Sequence, residues 1–234
     1  MSIETHRVVI GACGWKHSAW LEDFYSEDLP EDWHLGFYSN EFSVVYVPAR
    51  DWIDDDVSVW SADVSETFRF ILELPETIYS DTSELKEFIS KAESLNEFCL
   101  GLVLPLNQLS GTNTQLFLSC YEQLKNVAPV SVDKRGILLT DEFKALLEQY
   151  SISEVWNGVL NQNVSYDAKK LGLMRHNLSI TRVSCEELDM PSLRKVIEVS
   201  LQASDENRVS VLCFDGQPPS IEMMRNADII LNLL

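Results

Sequence analysis

The run CLGLVL, residues 99–104, contains no charged side chain and no polar alternation. A strand with one face in water would alternate between apolar and polar residues, with a period of two. A strand that is apolar on both faces is typical of a parallel sheet, because the helices that connect parallel strands cover the sheet. The run therefore predicts a buried parallel strand in an α/β protein.

Similar runs, rich in β-branched or aromatic residues, lie on both sides of this strand. Eight strands are predicted in all, at residues 8–10, 43–47, 68–74, 99–104, 130–132, 154–159, 178–183 and 208–214. Asn157 and Gly158 interrupt the sixth run, and both residue types weaken a strand. The sixth strand is therefore the place where we expect the sheet to be irregular or incomplete.

Segments with helical spacing separate most of these strands. Apolar stripes predict helices over residues 85–95, 116–124, 143–150 and 193–201, and a last helix after Pro218 and Pro219. Thr140 is a candidate N-cap, and Asp81 with Glu84 resembles a capping box. Weaker patterns predict a short helix near residues 54–62 and another near 166–171.

Strands that alternate with helices are joined by right-handed parallel crossovers. Eight such units predict that residues 1–234 form one domain, a single TIM-like (β/α)8 barrel. A doubly wound open sheet is the alternative. That fold usually carries a glycine-rich phosphate-binding turn after its first strand, and GACGWK at residues 11–16 lacks the required spacing.

The composition disfavours several classes of function. With 37 acidic and 18 basic side chains the net charge is −19, which repels nucleic acid. Five scattered cysteines without a CxxC pair indicate reduced thiols and a cytoplasmic location. The apolar stretch at residues 98–106 is too short to span a bilayer, so no membrane association is expected. Four scattered histidines predict no metal site, no cofactor is predicted, and the oligomeric state stays open.

Functional side chains in a parallel barrel lie at the carboxyl ends of the strands. The candidates at these positions are Trp15, Glu73, Asp133, Arg135, Arg182 and Asp215. Alternation along the fifth strand places Asp133 and Arg135 on one side and Lys134 on the other, with Arg182 approaching from the seventh strand. Guanidinium groups beside a carboxylate suit a carboxylate, phosphate or sugar hydroxyl, with Trp15 as an apolar wall. A purely structural ion-pair network at the barrel top is the alternative.

His17, after the first strand, is a weaker candidate for an acid or a base. It has no partner carboxylate at a fixed spacing. A histidine in that position is more typical of a surface or hydrogen-bonded residue. No catalytic residue is assigned.

Residues 11–45, GACGWKHSAWLEDFYSEDLPEDWHLGFYSNEFSVV, resemble the opening of the YecE-like family, also known as domain of unknown function 72. The glycine and tryptophan that end the first strand, a second tryptophan, an FYP-like triplet, an LP pair and a Tyr…Phe helix correspond to Gly14, Trp15, Trp20, Phe24, Tyr25, Leu29, Pro30, Tyr38 and Phe42. Weaker matches continue to the C-terminus. The resemblance implies one β/α barrel over the whole chain and no established activity.

Several polar positions of the family differ here. A VEIN-like motif on the second strand corresponds to Val44, Val45, Tyr46 and Val47, without its glutamate and asparagine. The family's lysine, glutamine, glutamate and paired asparagines on later strands correspond to Glu73, Val103, Asp133, Asp215 and Gly216. Arg135 and Arg182 remain as charged pocket positions. The resemblance therefore implies a diverged member, and catalytic inactivity is one interpretation of these changes.

Three functional hypotheses follow from the sequence. The first is a barrel that binds a small polar or anionic ligand through Asp133, Arg135 and Arg182. The second is a non-catalytic interaction module whose barrel mouth is filled by apolar side chains and whose acidic surface meets its partners. The third is a metal-independent hydrolase of phosphoester or glycosidic substrates, with Glu73 and Asp133 as its two carboxylates.

Overall fold

The structure, a computed structural model, describes residues 8–21, 23–79, 82–106, 114–158, 167–169 and 171–234. The strands in these ranges are β1 Val8–Cys13, β2 Val44–Val47, β3 Arg69–Glu73, β4 Cys99–Pro105, β5 Val130–Asp133, β6 Ser153–Glu154, β7 Leu178–Ser184 and β8 Val209–Asp215. The α-helices are α1 His34–Glu41, α2 Thr82–Ser94, α3 Thr114–Leu124, α4 Asp141–Gln149, α5 Met190–Gln202 and α6 Ile221–Leu233. The predicted alternation of strands and helices is confirmed.

The strands form one parallel sheet in the order β6-β5-β4-β3-β2-β1-β8-β7. Strand β1 lies in the middle of this order, between β2 and β8, and a bridge between Trp156 and Thr181 joins the two ends of the order, next to β6 and in β7. The sheet therefore curves into a ring, and the doubly wound alternative is wrong. Strands β6 and β7 meet at a seam that is only partly paired. There the Trp156 amide donates to the Ile180 carbonyl at 3.0 Å, and the Trp156 carbonyl accepts from the Arg182 amide at 2.8 Å. The result is a nearly closed, TIM-like barrel.

The irregularity predicted at the sixth strand lies at this seam. Strand β6 contains two residues, Ser153–Glu154, and shares only Glu154 with the predicted run at 154–159, whose last residue lies outside the described residues. Gly158 has φ +63°, a left-handed conformation that turns the chain away from an extended path. Up to residue 158, where the described segment stops, the bridge at Trp156 is therefore its pairing with β7.

Strand side chains alternate between two apolar layers. The larger layer lies between the strands and the helices, and the smaller one fills the barrel interior around Tyr46, Ile71, Val103 and Cys213. This arrangement explains the uninterrupted CLGLVL run, since Leu102 packs in the outer layer and Val103 in the inner one. Polar residues of the inner layer can therefore be reached only at the ends of the strands.

Most of the helices predicted from the sequence are present in the structure. The Thr140 hydroxyl oxygen accepts the Phe143 amide at 3.2 Å, which confirms the predicted cap of α4. The helix expected near residues 54–62 is a 3-10 helix, Val57–Ala62, with the Asp56 carboxylate accepting the Ser58 amide. Asp81 and parts of the segment at 166–171 lie outside the described residues. None of the described helices is long and apolar enough to span a bilayer.

Candidate functional site

Three strands end in a carboxylate and a fourth, β7, carries an arginine near its end, and these charged side chains continue the inner layer of the barrel. Glu73 follows Ile71 by two residues and Asp215 follows Cys213 by two, so each lies above an interior apolar residue. Asp133 on β5 and Arg182 on β7 occupy equivalent positions. Period two thus brings three carboxylates and one guanidinium together at the carboxyl end of the barrel.

Arg182 lies at the centre of this group. Its Nη1 is 2.9 Å from Asp133 Oδ2 and 3.7 Å from Glu73 Oε2, and its Nη2 is 2.6 Å from Asp215 Oδ2. The guanidinium carbon lies 4.9 Å from the centroid of the Tyr46 ring, within cation–π range. Because the Asp133 side chain is only 1% exposed, this guanidinium supplies the charge compensation that a buried carboxylate requires.

Arg135 approaches the same carboxylates from the loop after β5. Its Nη2 is 2.8 Å from Glu73 Oε2 and its Nη1 is 3.1 Å from Glu76 Oε1. The backbone of Arg135 is left-handed, with φ +45°, and its amide donates to Asp133 Oδ1 at 3.0 Å. This turn directs Arg135 back over the barrel mouth, whereas Lys134 faces outward and lies 3.4 Å from Glu154. Arg135 and Lys134 therefore point to opposite sides, as the sequence predicts.

Tyr46 contributes a hydroxyl group to the site, although comparison with the family pattern predicts a loss of polar groups on this strand. Its hydroxyl donates to Glu73 Oε2 at 2.7 Å from an inner position of β2. Burial, followed by the neighbouring Glu73 carboxylate, raises the pKa of Tyr46 well above its usual value, so the hydroxyl remains a protonated donor. The signal in the sequence was a hydroxyl-bearing residue at an inward position of an otherwise aliphatic strand.

A cavity of about 440 Å³ opens above these ion pairs. Its described lining comprises Cys13, His17, Pro48, Ala49, Arg50, Glu73, Leu74, Pro75, Glu76, Arg135, Arg182, Asp215, Gly216 and Gln217. Glu73, Arg135, Arg182 and Asp215 of the predicted set therefore share one cavity, with Asp133 bound beneath Arg182. The lining also includes Glu76, at the start of a short 3-10 helix, and Gln217, in a bend after β8. Sequence reasoning did not assign them, because no local pattern predicts the direction of the chain beyond a strand end.

Trp15 lies away from this cavity, which corrects its expected place as an apolar wall. Its side chain is 2% exposed and packs edge-on against Trp60, with ring centroids 4.9 Å apart, in the outer layer. Gly14 precedes it with φ +81°, and this turn takes the chain out of the inner-layer alternation. Trp15 therefore stabilises the core.

His17 and Cys13 line the cavity on the β1 side. His17 Nε2 is 2.9 Å from the Cys13 carbonyl oxygen, which can only accept, so this nitrogen carries the proton. Burial lowers the pKa of His17, and the hydrogen bond to Cys13 opposes part of that shift, so the imidazole is neutral at pH 7. Burial, with a smaller contribution from Cys213, raises the pKa of Cys13, which keeps the thiol protonated and weakly nucleophilic.

The site contains more carboxylates than guanidinium groups. Glu73, Glu76, Asp133 and Asp215 contribute four carboxylates around the guanidinium groups of Arg135 and Arg182. Arg50, on the rim, is largely exposed and lies 3.4 Å from Asp51. Within the described residues no group of three histidine, cysteine, aspartate or glutamate side chains is arranged to hold a metal ion. The network can thus both accept and donate hydrogen bonds.

Comparison with known proteins supports the fold and a family. A family model described as "Protein of unknown function DUF72" matches residues 9–158. No curated protein matches the sequence. A DUF72 family protein from Enterococcus faecalis V583 is similar in structure, with a TM-score of 0.69 at 14% identity over 97% of this chain and 96% of that chain. A DUF72 family protein from Thermotoga maritima MSB8 has a TM-score of 0.68 at 13% identity over 96% of this chain and 99% of that chain.

At these identities the structural likeness shows the fold alone. The family model covers more than half of the residues, including β1 to β6. This match agrees with the pattern at residues 11–45 that resembles the YecE-like family. The chain belongs to the DUF72 family, a group of barrel proteins of unknown function.

Proposed function

We propose that the protein binds a small, neutral, hydroxyl-rich ligand, such as a sugar or polyol, in the cavity at the carboxyl end of the barrel. The observation that carries this proposal is an open space of about 440 Å³ whose floor contains Glu73, Arg182 and Asp215. That volume lies within the range of small-molecule sites, about 300–1,000 Å³.

The charge pattern favours a neutral ligand over an anion. The terminal nitrogens of Arg182 already contact Asp133 and Asp215, and those of Arg135 contact Glu73 and Glu76. A phosphate or carboxylate ligand would have to replace these contacts and also approach the carboxylates themselves. A hydroxyl group can donate to a carboxylate and accept from a guanidinium without displacing either charge.

The two other hypotheses have less support. A glycosidic hydrolase needs one carboxyl group that donates a proton, whereas Glu73 accepts from Tyr46 and Asp133 accepts from Arg182. An interaction module of the kind described above requires a mouth filled by apolar side chains, whereas polar groups predominate in this lining. We therefore propose ligand binding at this site and assign no reaction to it.

A thermal-shift comparison of neutral sugars and polyols with inorganic phosphate and citrate tests the proposal. A ligand that binds only the folded protein raises its stability, by about 2.7 kcal/mol at a hundredfold excess over Kd. We expect neutral compounds to raise Tm and the anions to have no saturable effect. Stabilisation by the anions alone would reject a neutral ligand.

Two variants then locate the binding. Glu73→Gln and Arg135→Gln should each weaken binding of the stabilising compound about tenfold, because each removes a charged hydrogen-bonding partner. Lys134→Gln is the matched control, since Lys134 adjoins Arg135 in sequence but lies outside the cavity lining. Calorimetric titration that finds the same Kd for all three variants would place the ligand elsewhere.

A further inference from the structure

A second groove, of about 300 Å³, lies on the outside of the barrel beside α1. Its described lining is Leu29, Asp32, Trp33, Gly36, Phe37, Asn40 and Asp63. None of these residues lines the cavity at the barrel mouth. The groove therefore has to be explained independently of the proposed ligand.

The aromatic residues of this groove are held in place by the fold. Trp33 immediately precedes α1 and Phe37 follows four residues later, so the two side chains lie on one face of the helix. Phe37 packs against Phe24 and Tyr25, with ring centroids 5.4 and 5.8 Å apart. Its orientation is thus fixed by contact with the core.

The opposite wall comes close to α1 because residue 36 has no side chain. A Cβ atom on Gly36 would lie 3.0 Å from the Asp63 carbonyl oxygen. Asp63 ends the 3-10 helix Val57–Ala62, where its amide donates to the Trp60 carbonyl. The Asp63 backbone is therefore anchored, and the groove exists before any partner arrives.

The groove exposes large apolar surface. Trp33 is 64% exposed and Phe37 is 40% exposed. The other five tryptophans of the protein are buried, namely Trp15, Trp20, Trp52, Trp60 and Trp156. Exposed apolar patches with a polar rim mark interaction sites, and tryptophan is among the residues that contribute most to binding energy at interfaces.

The charges around this groove favour a cationic partner. The described lining contains Asp32 and Asp63 but no lysine, arginine or histidine. A cation over the Trp33 ring would gain cation–π attraction and Coulomb attraction to both carboxylates. A second copy of the chain, with its own net charge of −19, would be repelled.

Because the groove is open to solvent, it favours a peptide segment over a small molecule. Small-molecule sites bury most of the ligand surface, about 70–90%. A molecule lying against side chains as exposed as Trp33 and Phe37 would remain half in solvent. A peptide segment gains further contacts along the rim, including those with Leu29 and Asn40.

We propose that this groove docks a basic peptide segment of a partner protein. An arginine or lysine side chain of the segment lies over Trp33 between Asp32 and Asp63, and an adjacent apolar side chain packs against Phe37. The inference does not depend on the ligand proposed for the barrel mouth.

The peptide acetyl-Leu-Arg-Leu-Arg-Leu-amide is a suitable probe, with its glutamate counterpart as the negative control. Because Trp33 is exposed and the other five tryptophans are buried, a change in tryptophan emission that is lost in Trp33→Leu reports binding in the groove. We expect a saturable change with the arginine peptide, weakened by added salt, and none with the glutamate peptide. Equal responses to the two peptides would overturn the proposal.

Removing one carboxylate at a time distinguishes binding in the groove from attraction to the overall negative charge of the protein. Asp32→Asn and Asp63→Asn should each weaken binding of the arginine peptide about twofold to fivefold. Asp28→Asn is the matched control, because Asp28 is an exposed neighbour in sequence that does not line the groove. The same loss in all three variants would show a diffuse charge effect and reject a defined site.

Removing the Trp33 ring tests the aromatic contribution to peptide binding. Trp33→Leu should lower the affinity for the arginine peptide at least about fivefold in calorimetric titration, with an unchanged Tm because the side chain is exposed. If Trp33→Leu binds the peptide as the parent protein does, the proposed cation position is wrong.

Discussion

Arg182 connects side chains from four strands of the barrel. Its guanidinium contacts Asp133 on β5, Asp215 on β8 and Glu73 on β3, and it lies over the Tyr46 ring on β2. Each contact joins residues that are distant in sequence, so the group restrains the barrel as well as shaping its mouth. One side chain therefore serves both stability and the proposed site.

Arg182→Met is expected to lower the free energy of unfolding by about 3–5 kcal/mol, because removing one partner of a buried pair leaves the other charge uncompensated. Asp133, at 1% exposed, would lose its 2.9 Å ion pair and keep the 3.7 Å contact with Arg135 Nε and the hydrogen bond from the Arg135 amide. Urea denaturation at pH 7 measures the change. Arg194→Met is the control, since Arg194 forms an exposed pair with Glu198 on α5 worth about 0.5 kcal/mol or less. Equal losses in the two variants would contradict a stabilising role for the network.

At the scale of single elements, β1 depends on a close approach between two backbones. Gly11 pairs with Val44 of β2, and a Cβ atom on residue 11 would lie 1.9 Å from the Val44 carbonyl oxygen. No side-chain rotation relieves a clash with backbone. Strands β1 and β2 can therefore pair in this register only with glycine at position 11.

Gly11→Ala should destabilise the protein by about 3 kcal/mol or more, because the two strands must separate locally. Gly101→Ala on β4 is the matched control. Its Cβ atom would lie 2.3 Å from the end of the Leu178 side chain, which can move, and 3.3 Å from the Pro129 carbonyl oxygen, a far milder backbone contact than the 1.9 Å at Gly11, so a smaller loss is expected. Denaturation midpoints in urea compare the variants, and a larger loss for Gly101→Ala would contradict the argument.

At the scale of the whole molecule, the barrel is weakest at its seam. Strand β6 pairs with β5 at two positions, and among the residues that the structure describes the segment after it pairs with β7 at Trp156. Strand β8, by contrast, pairs with β1 at five positions and with β7 at seven. Local opening requires the loss of fewer contacts at the seam, so this part of the barrel should open first.

Hydrogen exchange measured by NMR tests this order of stability. The Trp156 amide should exchange at least about tenfold faster than the Leu212 amide, because Leu212 lies in a strand paired on both sides. The amides of β1 are a further reference for well-protected strands. Equal protection at Trp156 and Leu212 would show that the single bridge closes the barrel fully.

Much of the site could be predicted because strand alternation is local. Two-residue spacing predicts that Asp133 and Arg182 lie on the inner side of their strands, and the carboxyl ends of parallel strands necessarily meet at one end of a barrel. Arg135 was predicted on the same side, but it reaches the barrel mouth through a left-handed turn beyond the end of β5 and not by strand alternation. Trp15 and Tyr46 were assigned incorrectly because one lies beyond a glycine turn and the other was compared with a family pattern instead of being placed on its strand.

The sequence by itself determined eight strands, their parallel arrangement and the inward charges at their ends, because apolar periodicity is a property of each segment alone. Only the tertiary structure decided which charges meet. The Arg135 conformation, the pairing of Arg182 with Asp133 and Asp215, and the partly paired seam at Trp156 all arise when the ends of the sheet come together. Such contacts join residues far apart in the chain, and their geometry depends on closure of the ring, which no local segment encodes.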